Sequence, residues 1–267
     1  MHGSAVHGSC MVPGIVYRAC RRLSTEIVAE HAIVLRGSVS RALDCAQRNR
    51  NSAPQTTRLA SMGWYREHVL PHLVQTSCSA AANRRQRQKL VPMAHGEVLE
   101  VGFGSGLNTP FYDESKVTKI WALEPSQAMR RMASPEVAQS GLEIEFLDLP
   151  GEEIPLDTSS VDTVLMTYTL CTIADTTAAL SGIGRVLKPD GRLLFCEHGL
   201  SPDEDVRRWQ NRLNPVWRKL AGGCQLNRDI PGLIKASGFQ ILTEERRYIE
   251  GPRPLCYNFM GTAGPQS

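Results

Sequence analysis

The stretch Glu97–Tyr112 reads EVLEVGFGSGLNTPFY. Val98, Leu99 and Val101 make a short apolar run suited to a strand buried on both faces. Gly102, Gly104 and Gly106 then form a G-x-G-x-G turn. A turn without Cβ atoms lets backbone come close to a ligand. A helix opening from Leu107 would point its free N–H groups at that ligand.

Many nucleotide binders carry G-x-G, so the flanking residues decide. The dinucleotide fingerprint needs its last glycine where Leu107 stands, which demotes a hydride-transfer reading. A second strand-like run, Lys119 to Leu123, ends in Glu124, about 20 residues beyond the first glycine, where an acid can accept hydrogen bonds from both hydroxyls of a ribose. Glu100, closing the first strand, adds a carboxylate near the turn.

VLEVGFGSG and ALEPS, followed by FLDLPGEEIPLDTSSVDTV and GRVLKPDGRLLFCEH, together resemble the class I S-adenosylmethionine-dependent methyltransferases. The resemblance runs from about Met62 to the C-terminus, and the order and spacing of the motifs are more specific than any one of them. It implies an α/β, Rossmann-like seven-stranded sheet with helices on both faces and an antiparallel strand pair at the C-terminal edge. It implies S-adenosylmethionine as cofactor, held by Glu100, Gly102, Gly104, Gly106, Asn108, Glu124, Pro125, Gly151, Glu152 and Thr167. In the family the loop after the third strand clamps the adenine with an acid beside a small residue. Gly151-Glu152 matches that pair, but the usual aspartate position reads Pro150, and Asp148 sits two residues early.

Composition bounds the rest. The 267 residues, 42% hydrophobic, suit one domain with an extension. The eight cysteines show no C-x-x-C spacing, so they read as reduced thiols of a cytoplasmic protein, with no disulfide frame and no metal site. No run reaches the length of a membrane span. Residues 1–61 hold eight arginines, no lysine and three acids, a net +5, which leaves residues 62–267 at −2 against +3 for the whole chain. The motif-bearing part therefore lacks the basic face of a nucleic-acid binder.

Residues 1–61 are expected to be a disordered extension, a transit-type leader or a non-native start ahead of Met62, with one short helix over Ile27 to Leu35. Residues 62–267 are the expected methyltransferase domain. Gly63 to Val74 reads as a helix broken at Pro71, carrying Trp64, Tyr65 and His68. It either covers the cofactor or simply packs on the domain. Asn83 to Val91 is a basic helix, in which Arg87 is a candidate for the cofactor carboxylate. Ser126 caps the next helix, to about Ala133, and Leu142 to Leu147 is the third strand.

The fourth strand begins near Asp162 and runs out into Thr167, Tyr168, Thr169 and Cys171, where ligands collect in parallel sheets. Thr176 to Leu187 is a helix, Pro189-Asp190-Gly191 a turn, and Arg192 to Glu197 the fifth strand, ending at His198. His198 is the best candidate base and Tyr168 its companion as a catalytic residue. Cys171, Cys196 and Cys224 are candidates to cluster, with buried inert thiols as the plainer reading. Asp205 to Leu220 places Val206, Trp209, Leu213, Trp217 and Leu220 at helical spacing beside arginines, with Pro215 expected to kink or split it. Such a face can touch a membrane surface or roof an apolar pocket. Two strands, Phe239 to Tyr248 and Leu255 to Thr262, close the chain after a helix ending near Ser237.

TLCTI at Thr169, CEH at Cys196, WQNRLNPVW and GGCQLNR resemble the branch of the family that includes thiol S-methyltransferases. Quinone C-methyltransferases and phosphatidylethanolamine N-methyltransferases are more distant. The animal thiol enzymes carry an apolar N-terminal anchor that this sequence does not show, so a membrane-resident role is not expected to carry over. The resemblance thus implies a monomer acting on a small apolar acceptor: a thiol, a lipid amine or a quinone-like molecule. The competing reading is a cofactor-binding, non-catalytic module that acts through a partner.

Overall fold

The computed structural model describes residues 63–65 and 67–266. The expectations for residues 1–61 and for Met62 lie outside the described residues. Seven strands form one sheet in the order β3-β2-β1-β4-β5-β7-β6. They are β1 Gly96–Val101, β2 Val117–Leu123, β3 Ile144–Leu147, β4 Val161–Thr167, β5 Leu187–His198, β6 Phe239–Tyr248 and β7 Tyr257–Pro265. β1 to β5 run parallel, and β7 pairs antiparallel with both β5 and β6. This is the class I sheet with its antiparallel pair at the C-terminal edge.

The helices are α1 Leu70–Cys78, α2 Ala81–Leu90, α3 Gln127–Gln139, α4 Thr176–Val186, α5 Glu204–Leu220 and α6 Ile230–Ala236. Alternation along the strands sends Val98, Leu165, Leu194 and Cys196 into one core with Leu90 of α2 and Ala133 of α3. Leu99, Val164, Met166, Leu193 and Phe195 enter a second core with Ala179 and Ile183 of α4 and Ile234 of α6. Helices therefore cover both faces, and the central strands, buried twice, read as apolar runs.

Three local expectations are corrected. No α-helix opens from Leu107; the chain makes one 3-10 turn, Thr109–Phe111, with Pro110 in it. Asn108 spends its amide on Glu100 and Thr167 instead of capping a helix. Pro189-Asp190-Gly191 lies within β5, at a register irregularity where Leu187 pairs with Val161 and Arg192 with Thr163. Pro215 sits inside a continuous α5.

α5 also turns differently from the expected apolar face. It buries Val206, Gln210 and Asn214, and leaves Trp209, Leu213, Val216 and Leu220 exposed. The buried amides are satisfied: Gln210 accepts from the Ser201 N–H and donates to the carbonyls of Gly199 and Pro254. Asn214 accepts from the Leu226 N–H at 2.9 Å. Polar anchoring, available only from distant loops, outweighs the apolar pattern here. Among the described residues, no helix is long and apolar enough to cross a membrane.

Candidate functional site

The carboxyl ends of β1 and β4 converge on a cleft with a cavity volume of about 50 Å³. It is lined by the glycine turn, by Asn108, Met129 and Thr167, and by Val74, Gln75, Cys78 and Arg87 from α1 and α2. The helical segment at the N-terminal side therefore covers the pocket, with α1 restarting at a proline in its first turn. Ser105 donates to the Gln75 side chain across this lid.

Gly102, Gly104 and Gly106 all have positive φ. At Gly104 a Cβ would meet nothing nearer than the Met129 methyl at 3.4 Å, so this is where backbone is open to a ligand. At Gly102 a Cβ would run into the Thr169 side chain, so this glycine serves packing.

Glu124 is buried at the end of β2. Its Oε2 accepts from the Gly104 N–H at 2.9 Å and its Oε1 from the Ser126 N–H at 2.8 Å. Burial pushes its pKa up, and those two N–H bonds partly offset the rise. Each oxygen keeps a second lone pair for a ribose hydroxyl.

Glu100 is placed differently from the expected ligand contact. Its oxygens accept from Asn108 Nδ2 at 2.8 Å and from the Tyr112 hydroxyl at 2.6 Å, so it braces the loop from below. Burial raises its pKa to about 7. Glu152 is likewise committed, accepting from the N–H groups of Ala174 and Asp175 at 3.1 Å. Gly151 is small because Ile173 and Val101 leave no room for a Cβ. Asp148 pairs with both terminal nitrogens of Arg130. Pro125 is exposed. None of Glu100, Pro125, Asp148, Gly151 and Glu152 lines the pocket.

Two polar atoms in the pocket wall are buried without a partner: Arg87 Nε, a donor, and Asn108 Oδ1, an acceptor. Arg87 is otherwise fixed, donating to the Cys78 carbonyl at 2.6 Å and lying 5.2 Å over the Tyr168 ring. A carboxylate beside Arg87 and an ammonium beside Asn108 would satisfy both, as the amino-acid end of S-adenosylmethionine would. With Gly104 and Glu124 for the nucleoside end, the residues present fit that cofactor.

Among the described residues, Tyr168 is one of two non-glycines with positive φ, at 58°. A strained residue at a strand exit is a mark of a site. Its hydroxyl, however, accepts from Asn258 Nδ2 at 2.7 Å and lies 3.5 Å from the Cys196 sulfur. Burial pushes its pKa still further above the ordinary tyrosine value. Tyr168 therefore seats Arg87 and offers no free base.

His198 Nε2 faces the Cys224 sulfur at 3.1 Å, and that sulfur lies 3.8 Å from Cys171 Sγ. His198 Nδ1 is buried with no partner. The Cys171 sulfur beside it, and then burial, push the Cys224 thiol well above its ordinary value. Cys196 stays apart from this pair; burial raises it to about 12. The spacing in the sequence offered no metal motif, yet the fold brings Cys171, His198 and Cys224 together. Glu197, fully buried, fixes their loop by accepting from the N–H groups of Thr169, Leu170 and Cys171. Sequence reasoning missed Glu197, because an acid inside an apolar strand carries no motif.

The family model described as "Methyltransferase domain" matches residues 99–195. The human thiol S-methyltransferase TMT1B is 31% identical over 168 residues, covering 61% of this chain and 66% of that protein. Human TMT1A is 28% identical, covering 63% and 71%. The rat TMT1B match spans 55% of its length, so the chain spans somewhat more than half of these first relatives. Among solved structures, a Leishmania major S-adenosylmethionine-dependent methyltransferase superposes with a TM-score of 0.50 at 20% identity, covering 68% and 70%. The [4+2]-cyclase SpnF superposes at 0.54 and 18% identity, covering 68% and 79%. Both structural similarities speak to fold alone.

Proposed function

The chain belongs to the class I S-adenosylmethionine-dependent methyltransferases, and on that footing we propose that it transfers the cofactor's methyl group to the sulfur of a small, apolar-bodied thiol. The observation that carries this reading is the pocket whose unpartnered Arg87 Nε and Asn108 Oδ1 match the amino-acid end of the cofactor. When bound, the cofactor supplies a methyl group on a sulfonium centre. Arg87, Asn108, Gly104 and Glu124 hold its two ends, and α1 keeps water from it. What remains is in-line placement of the acceptor, at ~3–3.5 Å from the methyl carbon.

Acceptor chemistry follows from what the site lacks. Glu100, Glu197 and Tyr168 are held in internal hydrogen bonds, Glu124 is given to the cofactor, and His198 turns Nε2 to Cys224. A carbon or oxygen acceptor needs a base. A thiol reacts as its thiolate and needs little such help. The thiol S-methyltransferases among the relatives support the same choice. Incubation with labelled methyl donor and a panel of thiols, amines and quinols tests it. Methyl thioether as the main product supports the reading; N- or C-methyl product in its place refutes it.

The exposed stripe of α5 supports a place for this chemistry. Trp209, Leu213, Val216 and Leu220 follow one another at helical spacing, flanked by Arg208, Arg212, Arg218 and Lys219. The Tyr65 hydroxyl donates to the Leu220 carbonyl at 2.6 Å, next to the exposed Trp64. An apolar stripe with basic flanks fits an anionic bilayer surface, from which an apolar thiol would partition. Sedimentation with phosphatidylserine vesicles is expected, and is expected to be lost in Trp209→Ala/Leu213→Ser. Equal recovery with neutral and anionic vesicles would refute the role of charge.

A further inference from the structure

Cys171 lies in the loop after β4, His198 ends β5, and Cys224 lies in the turn after α5. Their sulfur and nitrogen atoms all fall within 4.8 Å of one another. Two thiolates sharing one tetrahedral zinc ion, each at about 2.3 Å, sit about 3.8 Å apart. The Cys171 and Cys224 sulfurs are 3.8 Å apart. An imidazole nitrogen and a thiolate on the same ion sit ~3.6 Å apart. Nε2 of His198 is 3.1 Å from Cys224 Sγ, so the ring needs to back off by about half an ångström.

The three groups are held for this. Glu197 pins the Cys171 loop through three backbone N–H groups. Arg228 donates to the carbonyls of Leu170 and Ile173 on either side. The Gln225 N–H donates to the Cys171 carbonyl at 2.9 Å, tying the turn that carries Cys224 to the loop that carries Cys171. Among the described residues His198 Nδ1 has no partner, and Nε2 faces Cys224. A pair of idle thiols, or a disulfide, would leave the aimed histidine unexplained.

The cluster also adjoins the cofactor pocket. The Thr169 side chain packs against Gly102 of the glycine turn. The Cys171 loop thus abuts the turn that lines the pocket.

We propose that Cys171, His198 and Cys224 form a three-ligand zinc site whose fourth position takes the acceptor thiol. The inference rests on the thiol reading above. Three protein ligands with one open position is the arrangement of catalytic rather than structural zinc. Two thiolates and a neutral imidazole balance the ion's charge. The acceptor R–SH releases its proton to solvent as its sulfur enters the fourth position, so it stands as thiolate at a pH where a free thiol is mostly protonated. A lone pair of that sulfur forms the new S–CH₃ bond. The old bond from methyl to sulfonium breaks, its electron pair stays on the donor sulfur, and S-adenosylhomocysteine and a neutral methyl thioether result. No electrons are gained or lost overall, and the ion is unchanged.

The test is titration of Co²⁺ into the reduced, chelator-stripped 267-residue chain, followed by optical spectroscopy. The expected result is one equivalent bound, with a thiolate-to-cobalt charge-transfer band and the strong d–d bands of a tetrahedral site, both abolished by Zn²⁺. Cys171→Ser and Cys224→Ser should each weaken binding at least tenfold, and His198→Ala should shift the d–d bands. A small alkyl thiol added to the cobalt form should shift them again. Absence of the charge-transfer band overturns the proposal. So does a band that survives in Cys171→Ser/Cys224→Ser, which would place the metal on other cysteines of the chain. Bands indifferent to added thiol also overturn it. Calorimetry with S-adenosylhomocysteine, run on the same samples, reports separately on folding and on the cofactor site, so failure of the methyltransferase reading is distinguishable from failure of the metal site.

Discussion

The Glu124 carboxylate accepts the backbone N–H of Gly104 at 2.9 Å, so the acid proposed to read the ribose also sets the shape of the glycine turn. Glu124→Ala is expected to weaken S-adenosylhomocysteine binding by about 1–3 kcal/mol, the range for a lost charged hydrogen-bond partner. Glu124→Gln should be nearly as costly, because its amide NH₂ would face an N–H donor at Gly104 or Ser126. Calorimetry on the two variants checks this. A glutamine variant with the parent affinity would show that the carboxylate is not what holds the loop.

Gly102 and Gly104 should separate stability from binding. Gly102→Ala drives a Cβ into Thr169, and is expected to lower Tm strongly. Gly104→Ala meets no atom closer than 3.4 Å and carries only the strain of φ +60°, about 1–2 kcal/mol. It should fold, yet bind the cofactor poorly, because the added methyl occupies the space backbone leaves open. Gly104→Val should block binding more fully. Equal loss of Tm in the two alanine variants would show that Gly104 is needed for folding rather than for the ligand.

Arg87 is assigned to the cofactor carboxylate by its unpartnered Nε. Arg87→Met keeps much of the stem that packs in the wall and removes the charge. It should weaken S-adenosylhomocysteine at least tenfold and leave 5′-methylthioadenosine, which has no carboxylate, within twofold. Parallel loss of both ligands would place Arg87 in the fold of the pocket rather than on the carboxylate.

Glu100 should make stability fall as pH rises. The unfolded chain releases this proton at the ordinary carboxylate value, near 4.5, and the folded chain at about 7. Between those values the folded state binds more protons, so stability is highest below about pH 4.5 for this group and falls through pH 7. The loss is at most about 3 kcal/mol. Glu100→Gln, whose amide can still serve both Asn108 and Tyr112 by turning the tyrosine hydroxyl into an acceptor, should flatten the slope. Urea melts of both proteins at pH 5 and pH 8 check this. The same slope in the variant would assign it to another group.

The strands and the glycine turn were legible because each is a local pattern: an apolar run, a run of glycines, an acid at a strand end; the order of the strands came only with the family resemblance. The same holds for the Ser126 cap, whose side chain accepts from Met129 N. What failed to read were commitments made by distant partners. Nothing near Glu152 announces that Ala174 and Asp175 will claim it. Nor does anything near Gln210 and Asn214 announce that Gly199, Pro254 and Leu226 will supply their partners. Cys171 and Cys224 meet only because the β4 loop and the turn after α5 are tied together at Gln225.

The most direct test of the account is calorimetric titration of S-adenosylmethionine and S-adenosylhomocysteine into the 267-residue chain. One site per chain with micromolar affinity, lost in Gly104→Val and retained in Cys171→Ser, is the predicted result. No heat from either ligand, with a protein shown to be folded by a cooperative melt, would contradict the assignment of the Glu97–Tyr112 stretch as the cofactor site.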